Sequence, residues 1–317
     1  MSEFSIGDAA VAGMRLLGRQ TFAACVWAAL AAGSFTLVCV VFGGPIISLF
    51  AMIAQRGGKP DPGEILGMIG SIGGFYLLLI ITAVVLKAVI ACTIYRAEIY
   101  PGRSGFFFLR CGASEGWLML VSIVRGILVF VLQMVLSIPV SIISLLVGTT
   151  TVLAAGHGQA APGWIGAYLM LSGVLRLIVS GVVIWVSFRL SMAGPMTFVD
   201  RRFRLFESWT LTRGLGLPLF TVALLLVLFG LAVLIVLGLL GFGGGVALWG
   251  QFPHPATFQG FLSEPPADML RFLAPFLEWA VVLLFVGDIV MLPVSVAPWA
   301  HIYRRLSPET DVAGVFG

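Results

Sequence analysis

The sequence predicts an all-α fold, a polytopic membrane bundle of six transmembrane helices with short interfacial helices on the cytoplasmic side. Three observations carry that expectation. Six apolar stretches, roughly over residues 20–50, 66–95, 117–149, 164–195, 216–250 and 270–300, each exceed the ~20 residues needed to cross about 30 Å of hydrocarbon. Arginines gather on alternate connections between them. Hydrophobic residues make up 60% of the chain and charged residues 10%, against roughly 45–50% and about 25% in a soluble domain. No tract is left over for a soluble domain, so residues 1–317 read as a single integral membrane domain.

The elements follow in order. A lead over Ser5–Arg19 opens with Ser5 and, three residues later, Asp8, a capping box; Ile6, Ala10, Met14 and Leu17 then form one apolar face of an interfacial helix. Arg15 and Arg19 precede an apolar run longer than the 7–15 residues of a signal-peptide core, so the first span is expected to remain as an anchor. The second span carries Gly70 and Gly74, a small-xxx-small pair suited to close helix contact, and ends on Ile94-Tyr95-Arg96. A second lead, Arg103–Gly116, enters the third span, where Pro139 sits among Ser137, Ser141 and Ser144.

The fourth span ends on Phe188-Arg189-Leu190, and a third lead follows over Asp200–Gly214. In this lead Phe203, Phe206 and Trp209 place aromatics toward the interface, while Arg201, Arg202 and Arg204 are positioned to reach phosphates. Gly241, Gly243, Gly244 and Gly245 are expected to end or bend the fifth span. Pro275, Pro293 and Pro298 punctuate the sixth, which closes on Ile302-Tyr303-Arg304. Three lead-and-helix-pair units thus suggest a threefold repeat about an axis along the membrane normal.

Orientation follows from charge. Twelve of the eighteen basic residues (Arg15, Arg19, Arg96, Arg103, Arg110, Arg189, Arg201, Arg202, Arg204, Arg213, Arg304, Arg305) fall on one side, and Arg56, Lys59 and Arg271 on the other. The positive-inside rule puts both termini in the cytoplasm, with six crossings closing the parity. The net charge of +4 arises in the basic elbows and matches anionic headgroups of the inner leaflet. Nucleic acid is excluded as a partner, because aromatics are not interleaved with the basic residues as a stacking platform requires. Cys25, Cys39, Cys92 and Cys111 read as buried small hydrophobes rather than a disulfide framework.

Five ionisable residues interrupt apolar segments: Lys87, Arg125, Arg176, Glu278 and Asp288. Each costs ~2.5–3.5 kcal/mol at the bilayer centre and is expected to point inward. Arg176 lies twelve residues after Trp164 and thirteen before Arg189, while Asp288 lies seventeen after Arg271 and sixteen before Arg304. Their matching depth predicts a buried Arg176–Asp288 pair. Lys87 and Arg125, nine and ten residues from the cytoplasmic marks Arg96 and Glu115, have no acid at their own depth. They either snorkel to inner-leaflet phosphates or line a cavity that receives an anionic headgroup; with Arg201, Arg202 and Arg204 they make a candidate lipid-headgroup site.

The run Arg189-Leu-Ser-Met-Ala-Gly-Pro195, followed by Glu207-Ser-Trp-Thr-Leu-Thr-Arg-Gly214, resembles a signature of bacterial six-helix inner-membrane proteins related to the membrane domain of some glycerophosphodiester phosphodiesterases. No soluble phosphodiesterase domain follows, and the Glu, Asp and His cluster that such hydrolysis needs is missing from the sequence. The resemblance therefore implies a stand-alone membrane protein rather than the hydrolase. Phosphate-binding, zincin, Cys-x-x-Cys and Gly-x-Ser-x-Gly motifs are also missing. His157, His254 and His301 are dispersed and read as solvated residues outside the spans. The expectation is a non-enzymatic protein without cofactor or metal, binding or organising anionic lipids or partnering envelope machinery, with a transporter or channel for a small anion or lipid as the alternative.

Overall fold

The computed structural model describes residues 5–55, 62–100, 108, 112–156, 162–250 and 266–306. These residues are helical with no strand among them, and six helices are long and apolar enough to cross a membrane. The helices are α1 (Ile6–Ala10), α2 (Ala12–Arg19), α3 (Thr21–Gln55), α4 (Pro62–Ile99), α5 (Ala113–Gly156), α6 (Pro162–Arg189), α7 (Ala193–Asp200), α8 (Glu207–Leu211), α9 (Gly216–Trp249) and α10 (Pro266–Leu306). All six expected spans are present. The chain is thus an integral membrane protein, in two compact units: Met1–Glu115 with Thr221–Gly317, and Gly116–Phe220.

In the first unit α2, α3, α4 and α10 meet around Leu16, Ala24, Trp27, Ile90, Ile94 and Ala297, all buried. Ser5 caps α1, its hydroxyl accepting from the Asp8 amide at 3.4 Å, but the lead breaks at Val11 instead of running on as one helix. Ala9, Ala12, Gly13 and Leu16 face the protein, while Met14 of the expected apolar face is exposed and Leu17 packs against the core. The reason is contact with protein. A Cβ on Gly13 would stand 2.4 Å from the Val294 Cα, so the small residues of α2 seat it against the α10 backbone and leave the larger Val11 and Met14 outside.

A similar close approach occurs at the glycine run, where the helix does not end. The α9 helix continues unbroken for 34 residues, about 51 Å, because the glycines admit side chains of α10. A Cβ on Gly244 would lie 2.2 Å from Trp279 Nε1, and one on Gly241 would lie 3.2 Å from Leu283. Gly74 packs on Phe42 of α3, whereas nothing approaches Gly70. The prolines Pro139, Pro275, Pro293 and Pro298 all lie inside continuous helices.

The second unit gathers α5 to α8 around Val121, Leu190, Ala193 and Leu205. Its fourth span does not run through to residue 195. Pro195 lacks an amide hydrogen and its ring crowds the carbonyl four residues back, so the helix stops at Arg189. The chain turns on i→i+3 bonds at Ser191 and Ala193 and restarts as α7. The third lead is mostly turn, with Arg201 left-handed (φ 51°) at the end of α7 and only five residues of α8. Phe206 and Trp209 are exposed, while Phe203 packs on the core. Most of the second lead lies outside the described residues. Along the spans Leu77, Ile80, Phe130, Ile138, Leu177 and Leu239 remain exposed, as lipid contact requires.

Candidate functional site: an apolar cavity with a lysine and an aspartate

A half-enclosed cavity of about 340 Å³ lies among α3, α4 and α10, at the small end of the ~300–1,000 Å³ typical of ligand sites. Small residues make the space: Ala31 of α3 and Ala83 and Ala91 of α4, walled by Phe35, Leu79, Leu86, Leu284 and Leu292. Ile90 belongs to both the wall and the buried core, and Leu86, Leu292 and Val296 pack against that core. The Trp27 cluster is therefore the floor on the side of the helix ends that carry Arg96 and Arg304.

Few polar groups face this space, and the serine hydroxyls are spent locally. Ser34 donates to the Leu30 and Ala31 carbonyls at 2.7 and 2.9 Å, and Ser295 donates to Leu292 O at 3.2 Å. What remains is the Thr82 hydroxyl and two ionisable groups, Lys87 and Asp288, on the same wall system. Arg304 donates to Glu98 O at 2.9 Å, so α4 and α10 run parallel with their C-termini side by side. Asp288 precedes His301, which pairs with Glu98, by thirteen residues and Lys87 precedes Glu98 by eleven, which sets Asp288 roughly 3 Å deeper at 1.5 Å per residue. Helical side chains lean toward the N-terminus, so the long Lys87 stem leans toward the level of Asp288. Among the described residues no hydrogen bond or ion pair reaches the Asp288 carboxylate.

The other expected site residues are placed as follows. Arg176 belongs to the second unit, where it is exposed, and Arg125 to the same unit, where it is half-buried. Arg201 and Arg202 are exposed at the elbow. Arg204 is committed within the protein: it pairs with Asp200 at 3.0 Å and Glu207 at 3.1 Å, and its amide donates to Thr197 Oγ1 at 3.3 Å.

The structure adds a polar layer below the cavity floor. Glu98 is buried and takes Arg19 at 3.4 Å and His301 Nδ1 at 3.1 Å, joining α2, α4 and α10. His301 is thus a buried, paired residue, contrary to the solvated reading; hydrogen bonding to Glu98 is what makes its burial tolerable. His157 and His254 lie outside the described residues. Arg96 pairs with Glu115 and donates to Phe108 O at 2.9 Å. Arg189 donates to Thr212 O at 2.8 Å and lies 5.5 and 5.6 Å from the ring centroids of Trp185 and Trp209. The three arginines that end α4, α6 and α10 therefore share one task, each donating to a backbone carbonyl of a neighbouring segment. A metal-ligating group of three or more His, Cys, Asp or Glu does not occur among the described residues.

No family model, no curated protein and no solved structure matches this chain.

Proposed function

We propose that this chain is a non-enzymatic phospholipid-binding protein of a bacterial inner membrane, with both termini cytoplasmic, akin to the stand-alone relatives of the glycerophosphodiester phosphodiesterase membrane domain. One observation carries the reading: an apolar cavity of about 340 Å³ inside the spans with a lysine in its wall. Such a space suits an amphiphile, whose apolar part meets Phe35, Leu79 and Leu284 while its phosphate takes the Lys87 ammonium. A lysine ammonium has three donors, so it serves a phosphate without surrendering a protein contact. Exposed Arg201 and Arg202 attract headgroup phosphates at the leaflet surface, each contributing about 1 kcal/mol.

Native mass spectrometry from phospholipid-doped micelles tests this, using the parent, Lys87→Gln and Ala83→Trp, the last filling the cavity. The parent retains phospholipid under activation that strips the micelle, and both variants, checked for unchanged melting, lose it. Equal retention by all three contradicts the reading. Two ionisable groups inside the spans also favour transport of a small anion or lipid; flux in reconstituted vesicles that disappears in Lys87→Gln is the result that reading requires.

A further inference from the structure

The lysine is only half of the cavity's chemistry. Asp288 shares the wall and has no hydrogen-bond or ion-pair partner among the described residues. A carboxylate among lipid-facing helices is costly unless something answers it, and a purely anionic headgroup cannot. A phosphatidylglycerol phosphate drawn to Lys87 would bring negative charge toward Asp288 and be repelled by it. A headgroup carrying both signs resolves the conflict.

We propose that the cavity selects an aminophospholipid, a lipid of the phosphatidylethanolamine type, with its phosphate on Lys87 and its primary ammonium on Asp288. This rests on the phospholipid reading above and narrows it. The order along the helices fits, since Lys87 lies nearer the cytoplasmic helix ends and Asp288 about 3 Å deeper. The two-carbon spacer of ethanolamine lets the ammonium reach past the phosphate toward the deeper acid, and the lean of the lysine stem shortens the remaining gap. A primary ammonium donates three hydrogen bonds and a carboxylate only accepts, so each satisfies the other. A quaternary choline ammonium carries the same charge but no donor. Discrimination between the two therefore reports contact with the carboxylate rather than bulk charge.

The test is competition for the full-length protein in micelles containing equal amounts of phosphatidylethanolamine, phosphatidylcholine and phosphatidylglycerol with matched acyl chains, read by native mass spectrometry. The parent is expected to retain phosphatidylethanolamine over each competitor by roughly tenfold, the scale of one charge-assisted hydrogen bond. Asp288→Asn is expected to abolish that preference while still retaining phospholipid through Lys87, and Asp288→Glu, which keeps the carboxylate, to preserve most of it. Phospholipid retained in a Lys87-dependent way, but without amine preference or with the same preference in Asp288→Asn, overturns the selection by Asp288 and leaves the phospholipid reading standing. Retention that ignores Lys87→Gln overturns both.

Discussion

Replacing Gly13 by alanine tests whether α2 is seated on α10 by backbone contact, and Gly18, one turn and a half further along the same helix, is its internal control. An added Cβ at Gly13 meets Val294 Cα at 2.4 Å, Pro293 O at 2.7 Å and Val294 N at 2.8 Å, whereas at Gly18 nothing lies within 4 Å. Every atom it meets is main chain and cannot swing aside. Either α10 strains locally, costing about 1–3 kcal/mol, or α2 lifts away. Lifting re-exposes Leu16, which is 1% exposed and whose burial is worth about 1.5–3 kcal/mol, and it draws Arg19 off Glu98. Against either cost stands a helix-propensity gain of about 1 kcal/mol, which both substitutions share.

Gly18→Ala is therefore expected to stabilise the protein by up to about 1 kcal/mol and Gly13→Ala to destabilise it by up to about 2 kcal/mol, a separation of about 1–3 kcal/mol. Reversible denaturant unfolding in micelles reads the difference. Because α2 precedes the first span, a water reference is appropriate for its burial. Equal stability of the two variants would show that α2 does not lie on α10 and would refute the reasoning.

Three further outcomes follow from the geometry. Removing Glu115 leaves Arg96, whose side chain is 16% exposed, without its acid; Glu115→Ala should cost ~3–5 kcal/mol, and the double variant with Arg96→Ala less than the sum of the singles, strict additivity in the cycle being the contrary result. Arg189→Lys gives up the fork that reaches Thr212 O beside the paired rings of Trp185 and Trp209, and a loss of about 1–2 kcal/mol with altered tryptophan emission is expected; an unchanged emission spectrum would show that the guanidinium does not lie against the rings. Single cysteines at Arg202 and Arg271 in a cysteine-free background should react with an impermeant maleimide in intact cells only at position 271, and labelling at 202 would invert the assigned topology.

The spans were legible because length and apolarity alone decide them: a run such as Leu77 to Val85 has no alternative in water. The lead was legible as a helix with an apolar face, but not in the protein contact made by its other face. Ile6, Ala10, Met14 and Leu17 are the more apolar face, yet Ala9, Ala12, Gly13 and Leu16 are buried, since proximity to the α10 backbone rewards small residues that no hydropathy scale singles out. The glycine run of α9 does not end the helix, and at Gly241 and Gly244 the missing side chains leave room for Leu283 and Trp279.

Lys87 and Asp288 each stood out by the cost of charge in a span, but counting depth along each helix put them at different levels and so did not bring them to one cavity. That counting ignores the length and lean of a lysine stem. Glu98 and His301 escaped because charge at the end of a span is cheap and carries no signal of its own. The parallel endings Ile94-Tyr95-Arg96 and Ile302-Tyr303-Arg304 could have placed them near each other, had the repeat been read as contact between the ends of α4 and α10.

The most direct test of the central claim is a crystal structure of the parent grown from a lipid mesophase doped with phosphatidylethanolamine. Headgroup density is expected in the cavity among α3, α4 and α10, with phosphate in hydrogen-bonding reach of Lys87 Nζ and the amine at the Asp288 carboxylate. A cavity filled only by acyl chain or protein side chains, with headgroups confined to the membrane surface, would contradict the claim.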